Sequence, residues 1–283
     1  MSLSSEDLDA VCYLVDDLCG VYLDEKKTYL IEARLADLLP RHNCENYVEL
    51  ARKARGAGAK ALTEDVVDAI TTNETLWFRD GSPFEALRYK LLPEIIDSKA
   101  RTTTPKRVRM WSAACSTGQE AYSMAMAFGD IVPDMASWDL QILGSDVSRD
   151  AVEHARRGEY GELEISRGLE QKYLGGYFTR QGDQWQITDT LRRKCKFEQR
   201  NLLKSFTDVG KFDIIFCRNV AIYFKPDERR DMFLRLGKAL NPGGWLFTGS
   251  SESLVDLGPE WKPFRHCRAT CYQPNPAPVL VGS

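Results

Sequence analysis

Apolar positions recur three and four residues apart from Leu8 onward: Leu8, Val11, Cys12, Val15, Leu18 and Cys19. That spacing marks one face of a helix. Ser4 reads as its N-cap, with Asp7 three residues on and Leu3 and Leu8 as a hydrophobic staple. Gly20 ends the run. A second amphipathic helix carries Leu30, Leu35, Leu38 and Leu39, and Pro40 stops it. A third spans about Tyr47 to Arg55, broken by Gly56 and Gly58, and a fourth runs from Ala61 to Ile70. No strand pattern appears before Val108. The periodicity therefore predicts a small helical domain over residues 1–82.

A helix from Pro83 to Ile96 follows, with Phe84, Leu87, Leu91, Leu92 and Ile95 on its apolar side. Ser98 to Lys106 is a polar, threonine-rich link. The pattern then changes. Strand Arg107–Ser112 leads into helix Gln119–Phe128, strand Leu140–Gly144 into helix Arg149–Arg156, and strand Phe212–Cys217 into helix Asp227–Leu240. Strand Trp245–Thr248 follows an Asn-Pro-Gly-Gly turn at residues 241–244. Strands alternating with helices predict an α/β fold, a doubly wound and mostly parallel sheet covered on both faces, over residues 83–273. Residues from about 158 to 197 break the rhythm and read as a short helix followed by a small antiparallel insertion. Such an insertion serves either as a docking element or as a stabilising flap. Residues 274–283, rich in proline, read as a tail or linker, with a further domain beyond it as one possibility.

Composition narrows the class. The chain has 283 residues, 43% apolar and 28% charged, with net charge −3. This balance gives no reason to expect a nucleic-acid partner. No apolar run approaches the roughly 20 residues that span a bilayer, and the acidic start lacks a signal-peptide pattern, so a cytoplasmic protein without membrane insertion is expected. A monomer is the expectation for its assembly. Cys12, Cys19, Cys115 and Cys217 sit inside apolar patterns, as reduced buried thiols do. His266-Cys267 with Cys271 resembles metal ligands but has no second pair at zinc spacing, so no metal is expected. In the helical domain, Lys26, Lys27, Arg34, Arg41, Arg52, Lys53, Arg55 and Lys60 face only Glu32, Asp37, Glu45 and Glu49. That is either a docking face for an acidic partner or a solvated helical surface.

The stretch from Val108 to Glu120 carries the candidate chemistry. An apolar strand becomes a turn of small residues that opens into a helix. Free backbone N–H groups and a helix N-terminus then lie at the carboxyl edge of the sheet, where doubly wound proteins hold ligands. The loop Ala114–Gly118 matches neither Gly-x-Gly-x-x-Gly nor a Walker motif, which argues against a pyrophosphate. Asp146, at the end of the next strand, is placed either to take both hydroxyls of a ribose or to cap the next helix. Glu120, in the first turn, is placed either to hold an amino group or to complement the helix dipole. A ribose, an amino-acid tail and no phosphate describe S-adenosylmethionine.

Four motifs bring in a family. They are Thr71-Thr72-Asn73-Glu74-Thr75-Leu76-Trp77-Phe78-Arg79-Asp80, Cys115 to Ser123, Gly144-Ser145-Asp146-Val147-Ser148, and Phe212 to Phe224. In this order they resemble the chemotaxis protein-glutamate O-methyltransferases (CheR), across nearly the whole chain. The resemblance implies a Rossmann-like S-adenosylmethionine-dependent methyltransferase, with S-adenosylhomocysteine as product. It implies cofactor contacts at Asn73, Thr75, Arg79, Glu120, Asp146, Asn201, Leu202, Asn219 and Val220. It places Arg79 and Tyr223 beside the methyl group and the substrate carboxylate, as catalytic residues. It implies that the N-terminal domain faces the cytoplasmic methylation helices of a chemoreceptor or chemoreceptor-like protein, and that the insertion grips a receptor tail peptide in some members. Two departures stand out. Gln119-Glu120-Ala121-Tyr122 replaces the common Glu-Glu-Pro-Tyr, and the insertion is a few residues shorter than in members that bind a tail.

Two other classes are alternatives: methylation of an amine on nucleic acid or protein, and a non-catalytic module that binds the cofactor. Amine methyltransferases commonly carry Asn-Pro-Pro-Tyr or Asp-Pro-Pro-Tyr where this chain has Asn219-Val220-Ala221-Ile222-Tyr223. A non-catalytic cofactor-binding module would have no need of Arg79 and Tyr223.

Overall fold

The computed structural model describes residues 3–23, 28–101 and 106–275. Residues 276–283 of the expected tail, and Lys26 and Lys27 of the basic face, lie outside the described residues. Five helices come first: α1 (Ser5–Cys19), α2 (Thr28–Leu35), α3 (Leu38–Arg41), α4 (Tyr47–Ala54) and α5 (Lys60–Ile70). The Asp7 N–H donates to Ser4 Oγ at 3.1 Å, and Gly20 closes α1 in the left-handed region at φ 72°. The Asp7 carboxylate accepts the N–H groups of Tyr47 and Val48, satisfying free donors at the start of α4. Val11, Leu14, Ile31, Leu35, Leu50 and Val66 form the buried centre of this layer.

The second helix differs from expectation. It breaks after Leu35, and Pro40 lies inside the short α3 rather than ending the run. Pro40 is the third residue of α3, where its missing N–H would have had no intrahelical partner. The expected helix over 83–96 is also longer, continuing to Ala100 as α6 (Ser82–Ala86), a π turn (Leu87–Leu91) and α7 (Leu92–Ala100). The Leu92 N–H bonds to the Leu87 carbonyl, five residues back. That wider turn makes room for Pro93, which would clash with a regular helical carbonyl.

The α/β part runs β1 (Arg107–Ala113), α8 (Gln119–Gly129), β2 (Asp139–Asp146), α9 (Arg149–Arg157), β3 (Glu159–Gly161), α10 (Glu162–Ser166), α11 (Gln171–Tyr177), β4 (Phe178–Gln181), β5 (Gln184–Ile187), α12 (Asp189–Arg192), β6 (Cys195–Gln199), β7 (Phe212–Cys217), α13 (Pro226–Lys238), β8 (Leu240–Thr248), β9 (Trp261–His266) and β10 (Ala269–Pro274). Seven strands form one sheet in the order β6-β2-β1-β7-β8-β10-β9. The first five are parallel, and β10 is antiparallel to both β8 and β9. The expected antiparallel insertion is a three-stranded sheet, β3-β5-β4.

Three strand assignments extend the sequence reading. Residues 195–199 form β6 of the main sheet, so the antiparallel sheet ends at Ile187 and not near Phe197. The strand expected from Trp245 already starts at Leu240, paired with Phe212, and a bulge absorbs the Asn-Pro-Gly-Gly segment. The β9–β10 hairpin was not anticipated. Its turn residues Cys267 and Arg268 both have positive φ, as a type I′ turn demands.

Side chains alternate across the parallel strands. Met110, Ile142, Ile214 and Phe216 pack under α8 and α6 on one face. Trp111, Leu143, Ile215 and Leu246 pack against Met232, Phe233 and Leu236 of α13 on the other. From β1 the chain moves one way to β2 and β6, then crosses back to β7 on the other side. The carboxyl ends of β1 and β7 are therefore a topological switch point, where the following loops diverge and leave a crevice.

Candidate active site

A cleft opens at that crevice, between the carboxyl edge of the sheet and the helical layer. Asn73, Thr75, Arg79, Glu120, Asp146, Asn201, Leu202, Asn219, Val220 and Tyr223 all line it. These are all ten candidate residues, drawn from five separate segments.

The loop after β1 is wound tightly. Ala114, Ser116 and Gly118 take positive φ at 67°, 50° and 97°. A Cβ on Gly118 would lie 2.8 Å from the Ala155 Cβ, so only glycine lets the loop pack on α9. The same region holds Asn219 at φ 59°. Non-glycine residues in this region each cost about 1–3 kcal/mol, and they persist where surrounding bonds hold them.

Asp146 supplies one such set of bonds. Its Oδ2 accepts the Ser116 N–H at 2.8 Å and its Oδ1 accepts the Ser148 N–H at 3.0 Å. Ser148 caps α9 with its own hydroxyl, which accepts the Ala151 N–H at 3.1 Å. The capping role weighed for Asp146 therefore belongs to Ser148. Burial pushes the Asp146 pKa above its ordinary value, against the donation from Ser148 and Ser116. Burial likewise raises the Cys115 thiol well up, with Asp146 and Glu120 adding to it, so this cleft-lining sulfur stays protonated and unreactive.

Glu120 has a partner that the sequence reading missed. Arg218, whose side chain is 1% exposed, donates from Nη1 to Glu120 Oε2 at 2.9 Å. Its Nη2 donates to Asp80 Oδ2 at 2.6 Å and to the Arg79 carbonyl at 2.9 Å. The Ser112 hydroxyl donates to Glu120 Oε1 at 2.7 Å. The charge of Glu120 is thus balanced within the chain. A basic residue directly between the apolar strand β7 and its loop was the available signal for Arg218.

Arg79 contrasts with it. Its guanidinium donates to the Glu74 carbonyl at 3.2 Å, and among the described residues no carboxylate lies within 4.0 Å of it. Asn73 bridges two loops: its carbonyl accepts the Ser116 hydroxyl at 2.6 Å, and its amide donates to Ser148 Oγ at 3.4 Å. Asn201 donates to the Leu18 carbonyl at 2.9 Å and accepts the Leu203 N–H at 2.8 Å. Asn219 Oδ1 is buried without a hydrogen-bond partner. From the helical layer, Arg34 reaches the cleft and donates to the Ile70 and Thr71 carbonyls. Other basic residues of that layer pair locally, Arg41 with Asp65, Lys53 with Glu49 and Lys60 with Glu64. Among the described residues no group of His, Cys, Asp and Glu is placed to hold a metal, and no helix is long and apolar enough to cross a membrane.

Residues 73–271 match the family described as CheR methyltransferase, SAM binding domain. The chain is 39% identical over 277 residues to chemotaxis protein methyltransferase Cher2 of Pseudomonas putida, covering 96% of this chain and 99% of that one. It is 40% identical over 261 residues to chemotaxis protein methyltransferase 1 of Pseudomonas aeruginosa, covering 91% and 93%. It is 36% identical over 268 residues to chemotaxis protein methyltransferase 1 of Vibrio cholerae, covering 94% and 95%. On this match and these relatives, the chain belongs to the CheR methyltransferase family, and S-adenosylmethionine is its methyl donor.

Proposed function

We propose that this enzyme methylates glutamate side chains on the cytoplasmic methylation helices of a chemoreceptor or chemoreceptor-like protein, giving methyl esters. The carrying observation is Arg79: a guanidinium on the cleft wall with no acidic partner among the described residues. A planar fork of donors matches a carboxylate in two places at once.

The residues present suit the donor. Asp146 offers a buried carboxylate to the ribose hydroxyls. Asn219 Oδ1 is a buried acceptor whose hydrogen bond is unmet within the chain, and it suits an N–H donor on the cofactor. Leu202 and Val220 give apolar walls for a planar base. Asn73, Thr75, Glu120 and Asn201 complete the set. When bound, S-adenosylmethionine supplies a methyl group made electrophilic by its sulfonium.

The chain's own residues then have a limited task. A glutamate carboxylate has an ordinary pKa of about 4.3, so it arrives ionised and no general base is needed. Arg79 orients that carboxylate. Tyr223, whose carbonyl is fixed by the Tyr22 N–H at 2.9 Å, lines the approach. Holding two reactants in line is worth up to about 7–11 kcal/mol in well-oriented cases.

This reading divides the chain into a helical domain over 1–82, which meets the receptor, and a methyltransferase domain over 83–273. It places the enzyme in the cytoplasm. Transfer of labelled methyl to receptor fragments tests it. Release of the label in mild alkali marks an ester; alkali-stable label would mark an N-methyl product and refute the proposal.

A further inference from the structure

Glu252 lies just beyond β8, on the side of the Asn219–Tyr223 turn away from the cleft, and lines a second surface hollow there. It is 4% exposed. Its carboxylate accepts four backbone N–H groups: Asn219 and Gly249 on Oε2, both at 2.7 Å, and Val220 and Ile222 on Oε1, at 3.0 and 3.3 Å. Among the described residues no Lys or Arg lies within 4.0 Å of it. Its charge is met by peptide dipoles alone, in the manner of a bound anion.

Three of the four donors belong to one turn, the one that follows β7 and carries Asn219, Val220 and Tyr223 to the cleft. Asn219 is held there at φ 59°. The fourth donor, Gly249, follows β8, so the carboxylate joins the ends of two neighbouring strands. Glu252 is itself pinned, its N–H bonded to the Gly249 carbonyl and its own carbonyl accepting the Thr248 hydroxyl at 2.6 Å. A Cβ on Gly249 would lie 2.6 Å from Glu252 Oε2 and 2.9 Å from the Asn219 nitrogen. The space around this carboxylate is therefore reserved for it.

We propose that Glu252 is a positioning residue for methyl transfer: it acts as an internal anion that moulds the Asn219–Tyr223 turn, touching neither donor nor substrate. This rests on the assignment of Asn219, Val220 and Tyr223 to the reaction cleft. Four directional bonds on one buried carboxylate restrain four peptide planes at once, so the shape of the turn depends on that single group. A shift of about 1 Å in such a turn is enough to cost about a hundredfold in rate.

The test is Glu252→Gln, which keeps the shape and turns one acceptor into a donor facing N–H groups. Well below its melting temperature, the variant is expected to lose tenfold or more in both kcat and S-adenosylhomocysteine affinity. Amide hydrogen exchange is expected to quicken at residues 219–222 and 249 while β7 stays protected. A kcat and an affinity within twofold of the parent enzyme would overturn the inference. If the variant does not fold, the parent enzyme decides: slow exchange at the amides of Asn219, Val220, Ile222 and Gly249 supports the anchor, and exchange at open-loop rates removes it. Tyr223→Phe and Asn219→Ala run alongside. If they lose activity and Glu252→Gln does not, this inference alone fails. If both keep full activity, the cleft assignment fails and this inference with it.

Discussion

The backbone N–H of Tyr22, just past α1, donates to the carbonyl of Tyr223 in the turn after β7, at 2.9 Å. Lys225 reaches Asp16 at 2.7 Å beside it, and Asn201 donates to the Leu18 carbonyl at 2.9 Å. Three links thus run from the end of α1 to the cleft side of the sheet, two of them to the cleft-lining Tyr223 and Asn201 and one to Lys225, next to the cleft-lining Phe224. The helical layer braces the site as well as covering it. Asn201→Ala removes one link and the hydrogen bond to Leu203. Amide exchange in the last turn of α1 is expected to quicken, and S-adenosylhomocysteine binding to weaken. The lost bonds, about 1 kcal/mol each, should lower Tm by a few degrees. Unchanged exchange in α1 would show that the brace is held elsewhere.

Asp146 gives the cofactor site a pH dependence. Burial raises its pKa in the folded chain above the ordinary 3.8, despite the N–H donors of Ser148 and Ser116. For a raised folded value, the stability this group adds is full below the unfolded pKa and is lost as pH climbs through the folded one. Ribose hydroxyls donate best to the charged form. Cofactor affinity is therefore expected to rise with pH through a midpoint above 3.8. Calorimetry with S-adenosylhomocysteine checks this, and Asp146→Asn should flatten the profile. Asp146→Ala should weaken binding at least about a hundredfold, or about 2.7 kcal/mol. Full affinity in that variant would refute the ribose assignment.

Arg79 offers the cleanest separation of chemistry from stability. Among the described residues its guanidinium makes one hydrogen bond, to the Glu74 carbonyl, so Arg79→Ala should shift Tm by no more than a degree or two. Methyl transfer should fall by about a hundredfold or more, since an unoriented carboxylate loses its alignment. Arg79→Lys should recover little, because a single ammonium cannot replace the fork. Equal activity in Arg79→Ala with an intact fold would take the residue off the catalytic list.

Arg218 should behave in the opposite way. Its side chain is 1% exposed and satisfies Glu120 and Asp80 together. Removing one member of such a pair leaves a buried charge uncompensated, which costs about 3–5 kcal/mol. Arg218→Ala is expected to fold poorly or to melt well below the parent chain, measured by denaturant titration. A loss under about 1 kcal/mol would mean that water reaches Glu120 and screens it.

The candidate cleft and the elements around it are largely legible in the sequence. Strong local signals survived folding: the Ser4 cap, the closing Gly20, the strand-to-helix turn at residues 113–119. Glu120, Asp146, Asn201, Leu202, Asn219, Val220 and Tyr223 lie at or just after the carboxyl ends of sheet strands, where topology leaves them little freedom, and Asn73, Thr75 and Arg79 join the same cleft from the segment after α5. Three features were hidden for physical reasons. β6 has only five residues, three of them the polar Lys196, Glu198 and Gln199 with Phe197 alone fully buried, so it reads as a polar loop. β9 contains Pro263, tolerable because this strand lies at the sheet edge, and its turn uses Cys267 and Arg268 without a glycine. Glu252 sits in the polar run Ser250-Ser251-Glu252-Ser253, where nothing local foretells that three distant backbone donors join the nearby Gly249 N–H on its carboxylate.

The unmatched guanidinium of Arg79 also bears on how a catalytic cycle ends. On the proposed reaction, an ionised carboxylate goes in and a neutral ester comes out. Recognition by charge then expires at the moment of transfer, so departure requires no separate trigger and a glutamate already modified is passed over.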